Sequence, residues 1–137
     1  MNHPMIFDTS VWIDFLRRKK NPATELLKRY IEHDDQVLIL PVIVQDILQG
    51  IRDDEQFDHL QHILIEFECL YYSPLEAAIG AADLYRRLRL KGLTIHKSND
   101  CLIAWYAIKF DRPLVHLDAD FEVISKHSKL KTWKSRA

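Results

Sequence analysis

The sequence predicts an α/β fold in which a mainly parallel sheet is covered by helices on both faces. Short apolar runs recur at Met5-Ile6-Phe7, Val37-Leu38-Ile39-Leu40, Cys69-Leu70-Tyr71-Tyr72 and Pro113-Leu114-Val115-His116-Leu117. The stretches between them carry apolar residues at helical spacing. Short apolar strands alternating with helices are the pattern of strands buried on both sides.

The first strand ends on the carboxylate of Asp8, and a helix from about Ser10 runs into Arg17-Arg18-Lys19-Lys20. Asn21-Pro22 breaks the chain, and Pro22 suits the first turn of a second helix bearing Leu26, Leu27, Tyr30 and Ile31. The second strand, 37–40, ends at Pro41, which opens a third helix to about Gly50. Residues 54–66 have helical spacing, and 69–72 reads as the third strand. Pro74 starts a long helix with Ala78, Ala81, Ala82, Tyr85 and Leu88 on one face, ending near Gly92. Ser98-Asn99 is placed to cap the next helix. The fourth strand, 113–117, leads to Asp118, which is placed to cap a short helix. Residues Leu130 to Trp133 are placed as a last edge strand.

The 137 residues fit a single domain, 1–137, with room for a sizeable core; 47% are hydrophobic and 28% charged, as in globular proteins. Cys69 and Cys101 follow no metal-ligand spacing and read as free thiols in a reducing compartment. The N-terminus lacks the pattern of a signal peptide, and no apolar stretch approaches the roughly 20 residues that span a bilayer, so no membrane association is expected. A cytoplasmic location follows as the expectation. The net charge of −1 names no partner by itself. Setting four acids aside for an ion leaves bases in slight surplus, a weak pointer to a polyanion.

Four acids are candidates for one site. Asp8 and Asp118 each follow a strand, at the sheet edge where open α/β folds collect ligands. Asp100 lies in the first turn of its helix, followed at i+4 and i+7 by Ala104 and Ala107. Asp46 sits within a helix beside Val42, Ile43 and Gly50, an unusual setting for a merely solvated acid. Asp100 and Asp118 taken singly are ordinary helix-start residues; the force of the pattern is joint. Clustered carboxylates stay ionised only beside a cation, and an all-oxygen set favours a hard ion, Mg²⁺ or Mn²⁺. That suits phosphodiester hydrolysis, where the ion activates water and offsets phosphate charge. Asp120 is open between direct ligand, support and first-turn charge.

Phe7-Asp8-Thr9-Ser10-Val11-Trp12-Ile13-Asp14-Phe15-Leu16 resembles the opening of PIN-domain nucleases, in particular the VapC-like toxins of bacterial toxin–antitoxin pairs. The resemblance continues through Val44-Gln45-Asp46-Ile47-Leu48-Gln49-Gly50-Ile51, residues 85–95, Asn99-Asp100-Cys101-Leu102-Ile103-Ala104 and residues 114–121. It implies a three-layer α/β/α sandwich with a five-stranded parallel sheet and Mg²⁺- or Mn²⁺-dependent endoribonuclease activity. It also implies a structured RNA substrate of the tRNA or rRNA class, inhibition by a cognate antitoxin, and a homodimer. Carried over by position, Asp8, Asp46, Asp100 and Asp118 are the catalytic acids, with Asp8, Asp100 and Asp118 on the metal and Ser10 in support. The chain departs from the pattern twice. Asp46 stands where a glutamate is usual, and His116 where a threonine or serine is usual.

Arg17-Arg18-Lys19-Lys20 reads equally as a solvated helix end and as an RNA backbone contact. Arg86, Arg87, Arg89 and Lys91, with Lys97, form a second basic cluster leading toward Asp100; Lys126, Lys129, Lys131, Lys134 and Arg136 form a third. Phosphate contacts of this kind set affinity, not sequence preference. His59 and His62 lack a third ligand and read as an exposed helix face. Trp12, Phe15, Leu16 and Tyr30 read as core, and any left uncovered would suit an antitoxin helix or a dimer partner. A phosphoacceptor receiver domain is excluded, because Asp8 is unpaired and Tyr71-Tyr72-Ser73 supplies no acid. A PIN-like scaffold that binds RNA or protein without cutting stays open through the shorter Asp46.

Overall fold

Buried apolar triplets build the centre of the molecule. The computed structural model describes residues 3–135. Strand β1 (Met5–Phe7) and strand β2 (Val37–Ile39) are buried along their whole length. Strand β3 (Glu68–Cys69) pairs with β2, and strand β4 (Leu114–Val115) pairs with β1; every pairing is parallel and the order is β3-β2-β1-β4. The registers Met5–Val37, Ile6–Leu114 and Leu38–Glu68 align the C-terminal ends of the strands along one rim.

Helices α1 (Thr9–Leu16) and α2 (Pro22–Glu32) join β1 to β2, and α3 (Pro41–Leu48) and α4 (Asp54–Leu64) join β2 to β3. Helices α5 (Pro74–Leu90) and α6 (Ser98–Lys109) carry the chain back past β1 to β4, and α7 (Ala119–Lys126) follows. Parallel crossovers are right-handed, so this reversal sends α1–α4 to one face and α5 and α6 to the other. The packing agrees, since α1 lies against α2 and α3, whereas α5 runs along α6 and α6 meets α7. The α/β/α sandwich is thus observed, and its topological switch point falls between β1 and β4. Phe7, Trp12, Leu27, Leu38, Leu40, Ile103 and Phe121 are among the fully buried side chains.

Several boundaries differ from expectation for local reasons. The fifth strand is reduced to a single parallel bridge between Leu114 and Thr132, with Leu114 N–H donating to Lys131 O at 2.9 Å and Trp133 N–H to Leu114 O at 2.9 Å. It cannot lengthen upstream, because Pro113 has no N–H and the Arg112 amide is spent on Ala107 O at 2.9 Å. Strand β3 stops at Cys69, since Tyr72 leaves the sheet to pack edge-on against Trp105 and Phe110 at 5.3 and 6.3 Å. Helix α1 stops at Leu16, ahead of the basic run, and Arg18 adopts a left-handed φ of 62°.

Asn21 and Thr24 form a reciprocal cap on α2. Helix α6, by contrast, is preceded by Lys97 and neither Ser98 nor Asn99 caps it. Cys101 is buried and Cys69 half-buried, both free; burial pushes the Cys101 thiol up to about 11. Among the described residues no helix is long and apolar enough to cross a membrane. Arg136 lies outside the described residues.

Candidate active site

The end of β1 turns straight into α1 at Asp8. Its carboxylate accepts the Ser10 amide at 3.0 Å, the usual work of a helix-capping acid. The same oxygen, Oδ2, also takes the Ser10 hydroxyl at 2.6 Å, and that hydroxyl accepts the Leu117 amide at 3.1 Å. One serine thus stitches the tip of β1 to the chain leaving β4. Asp8 is only 3% exposed. Burial pushes its carboxyl above the ordinary range, against the hydrogen bonds from Ser10 and with help from the charge of Asp118.

Asp118 caps α7, accepting the Asp120 amide at 2.9 Å. Its own amide donates to Nδ1 of His116 at 3.2 Å. A backbone N–H can only donate, so Nδ1 is the acceptor and Nε2 carries the proton, facing Glu122 Oε1 at 3.0 Å. Glu122 in turn pairs with Lys134, and the His116 ring lies 5.2 Å from that of Phe121.

Asp100, in the first turn of α6, is 4% exposed, and its Oδ2 is buried with no hydrogen-bond partner. Burial is the main force on this carboxyl, followed by its hydrogen bond with Asp118 and the charges of Asp118 and Asp8; together they push it up to about 8. Carboxylate oxygens of Asp100, Asp118 and Asp120 all lie within 4.8 Å of one another.

Asp120 carries a second set of bonds. It accepts the amides of His96 at 2.8 Å and Lys97 at 3.4 Å and pairs with His96 Nδ1 at 3.0 Å. Burial alone would raise Asp120, but those bonds outweigh it and hold the group below the usual range, while His96 is raised by the same partner.

A cleft of about 480 Å³ opens where β1 and β4 end, lined by all four predicted acids, Asp8, Asp46, Asp100 and Asp118, and by Ser10. Asp46 is half-buried on its wall and accepts the Thr9 hydroxyl at 3.3 Å; it is not part of the close trio. Asp120 belongs to the trio but does not line the cleft.

The basic runs lie elsewhere. Arg17, Arg18, Lys19 and Lys20 are exposed beyond α1, with Lys19 3.9 Å from Asp14. Arg86 and Arg87 both pair with Asp83, at 3.0 and 2.8 Å. Neither pair of runs lines the acidic cleft, although Arg86 flanks an adjoining groove that shares Ser98 and Asn99 with it.

Sequence reasoning missed Thr9 and His96 as cleft residues and the contact of Lys97 with Asp118 at 3.5 Å. Thr9 was readable as a second hydroxyl beside Ser10. His96 and Lys97 owe their place to Asp120, more than twenty residues away, and no local pattern signals that. His62 pairs with Asp58 at 3.6 Å on an exposed face of α4.

The donor set fits a hard divalent ion. It is all oxygen, it is anionic, and the buried, unpartnered Asp100 Oδ2 is an atom that such an ion would satisfy.

Comparison with known proteins agrees with this geometry. The PIN domain model matches residues 5–127. VapC ribonuclease Mb1587 of Mycobacterium bovis is 31% identical over 128 residues, covering 93% of this chain and 96% of that protein. The structure of VapBC2 from Rickettsia felis bound to a DNA fragment from its promoter superposes with a TM-score of 0.71 at 18% identity, over 96% of this chain and 100% of that one. VapBC-1 from nontypeable Haemophilus influenzae gives 0.73 at 17% identity, over 96% and 97%. With the sandwich, the switch-point cleft and a close relative in hand, the chain belongs to the PIN domain family, on its VapC ribonuclease branch.

Proposed function

We propose that this protein is a Mg²⁺- or Mn²⁺-dependent endoribonuclease, the toxin of a toxin–antitoxin pair. It cuts structured RNA of the tRNA or rRNA class and is held inactive by a cognate antitoxin. The observation that carries the reading is the close approach of Asp100, Asp118 and Asp120, together with a buried Asp100 oxygen that has no hydrogen-bond partner among the described residues. The named activity of the mycobacterial relative and the toxin–antitoxin complexes among the structural neighbours support it.

When bound, the ion would supply an activated water and neutralise charge on the phosphate. Asp8, Asp100 and Asp118 would hold it. Ser10 fixes the rotamer of Asp8, and Asp120 braces the chain entering α6. Asp46, one methylene shorter than the usual glutamate, lines the same cleft outside the close trio and would act through a water. Arg17, Arg18, Lys19, Lys20, Arg86 and Arg87 would contact RNA backbone outside the cleft, where Arg86 and Arg87 must first leave Asp83. The working unit is one domain over residues 1–137, in the cytoplasm, as a homodimer.

A second reading, a PIN-like module that binds RNA or protein with little catalysis, is favoured by one feature, the place of Asp46 outside the trio. Incubating a structured RNA with Mg²⁺ or Mn²⁺ separates the two. Cleavage that disappears in chelator and falls at least about 100-fold in Asp8→Asn fits the nuclease, since supporting groups alone are worth 10- to 100-fold. Undiminished cleavage in chelator, or RNA bound but never cut by the wild type, overturns it.

A further inference from the structure

One cation stands against the carboxylates. Lys97 Nζ lies 3.5 Å from Asp118 Oδ2, and its side chain is 72% exposed. Its charge also reaches Asp100, where it is the influence opposing the upward push on that carboxyl. Lys97 is not there by accident of a mobile surface. Asp120, 6% exposed, holds the amides of His96 and Lys97 at 2.8 and 3.4 Å and the His96 ring at 3.0 Å. The backbone of Lys97 is thereby pinned at the mouth of the cleft, while its four methylenes stay free in solvent.

The charge in the cleft makes this placement consequential. Its lining carries four acids, and among the described residues only Lys97 and His96 bring basic groups to it. A divalent ion seated on Asp100 and Asp118 would bring two positive charges to the place Lys97 occupies, and like charges a few ångströms apart repel, here tempered by the solvent around Lys97. Lysine is suited to leave, being a compact charge on a flexible stem with no planar fork to hold a carboxylate in two places. The anion that arrives with the ion is a phosphate of the substrate.

We propose that Lys97 is the exchangeable counter-ion of this cleft: it offsets Asp118 until a divalent ion binds, and then turns onto a phosphate oxygen of the RNA. This rests on the nuclease reading and adds a substrate contact to it. Because Asp120 fixes only the backbone, the exchange needs side-chain rotation alone.

The test uses Lys97→Met and Lys97→Arg in the full chain, with Mn²⁺ alone as the first probe. Calorimetric titration in the absence of RNA should show Lys97→Met binding Mn²⁺ roughly two- to fivefold more tightly than wild type, the worth of one exposed ion pair. Cleavage of a structured RNA should then need more RNA for half-saturation. Its dependence on log salt should be shallower by about 0.7 to 0.9, as for one lost phosphate contact. Lys97→Arg should restore that slope.

Unchanged or weaker Mn²⁺ binding by Lys97→Met overturns the proposal, and so does an unchanged salt slope. If the wild type takes up no Mn²⁺, the nuclease reading fails with it. If the wild type binds Mn²⁺, Asp100→Asn does not, and Lys97→Met matches wild type, then only the role of Lys97 fails.

Discussion

Asp46 is the residue at which one methylene matters most. It hangs from α3 over the cleft with Thr9 as its partner and stands apart from the trio. Asp46→Ala should lower cleavage about 10- to 100-fold and leave the melting transition close to wild type, because the side chain is only half-buried. Asp46→Glu restores the reach of the usual family residue, so initial rates should hold or rise. Wild-type rates from Asp46→Ala would remove Asp46 from the site.

At His116 the informative comparison is between Asn and Leu. An asparagine Oδ1 can accept the Asp118 amide as Nδ1 does now, and leucine cannot. His116→Leu should therefore cost about 10- to 100-fold in kcat, with His116→Asn recovering most of it. Equal rates in both variants would reduce His116 to packing. Asp8, Asp100 and Asp118 were legible in the sequence because strand ends and helix starts fix where a side chain goes. His96 was not, and Lys97 only as part of a basic cluster leading toward Asp100, because a carboxylate in another element sets their position.

At the scale of elements, the α5–α6 contact depends on a missing side chain. A Cβ on Gly80 would fall 2.0 Å from Nε1 of Trp105. That ring cannot step aside cheaply, with Tyr72 at 5.3 Å and Tyr106 at 5.4 Å edge-on to it. Alanine should help an exposed helix by about 1 kcal/mol, but here overpacking of about 1–3 kcal/mol wins. Gly80→Ala should lower the midpoint in urea, and a raised midpoint would mean the ring moves freely.

Strands β1 and β2 were legible because unbroken apolar triplets have no other home. Aromatic β-propensity extended β3 too far, since Tyr72 is worth more beside Trp105 and Phe110 than in a ladder. The edge strand at 130–133 failed for want of free backbone groups, which only the end of α6 reveals.

The whole molecule should feel its acidic cleft as strain that pH and metal tune. Asp100 is raised from 3.8 to about 8, so the fold prefers its protonated form. The stability this lends is complete below pH 3.8 and drains away as pH rises through 8; Asp8 acts in the same sense. In chelator, the melting temperature should fall between pH 5 and pH 8, and Asp100→Asn should melt above wild type at pH 8. Mn²⁺ should reverse the trend, stabilising by about 2.7 kcal/mol at a hundredfold excess over its dissociation constant, and more at pH 8 than at pH 6. A flat profile in chelator would mean that Asp100 ionises freely.

The Ser10 hydroxyl that joins Asp8 to the Leu117 amide spans 107 positions of the chain. Contacts of such separation close late, after the loop between them has been organised. A nascent chain therefore lacks the assembled cleft until β4 has emerged and docked. Maturation, by this route, is timed by topology.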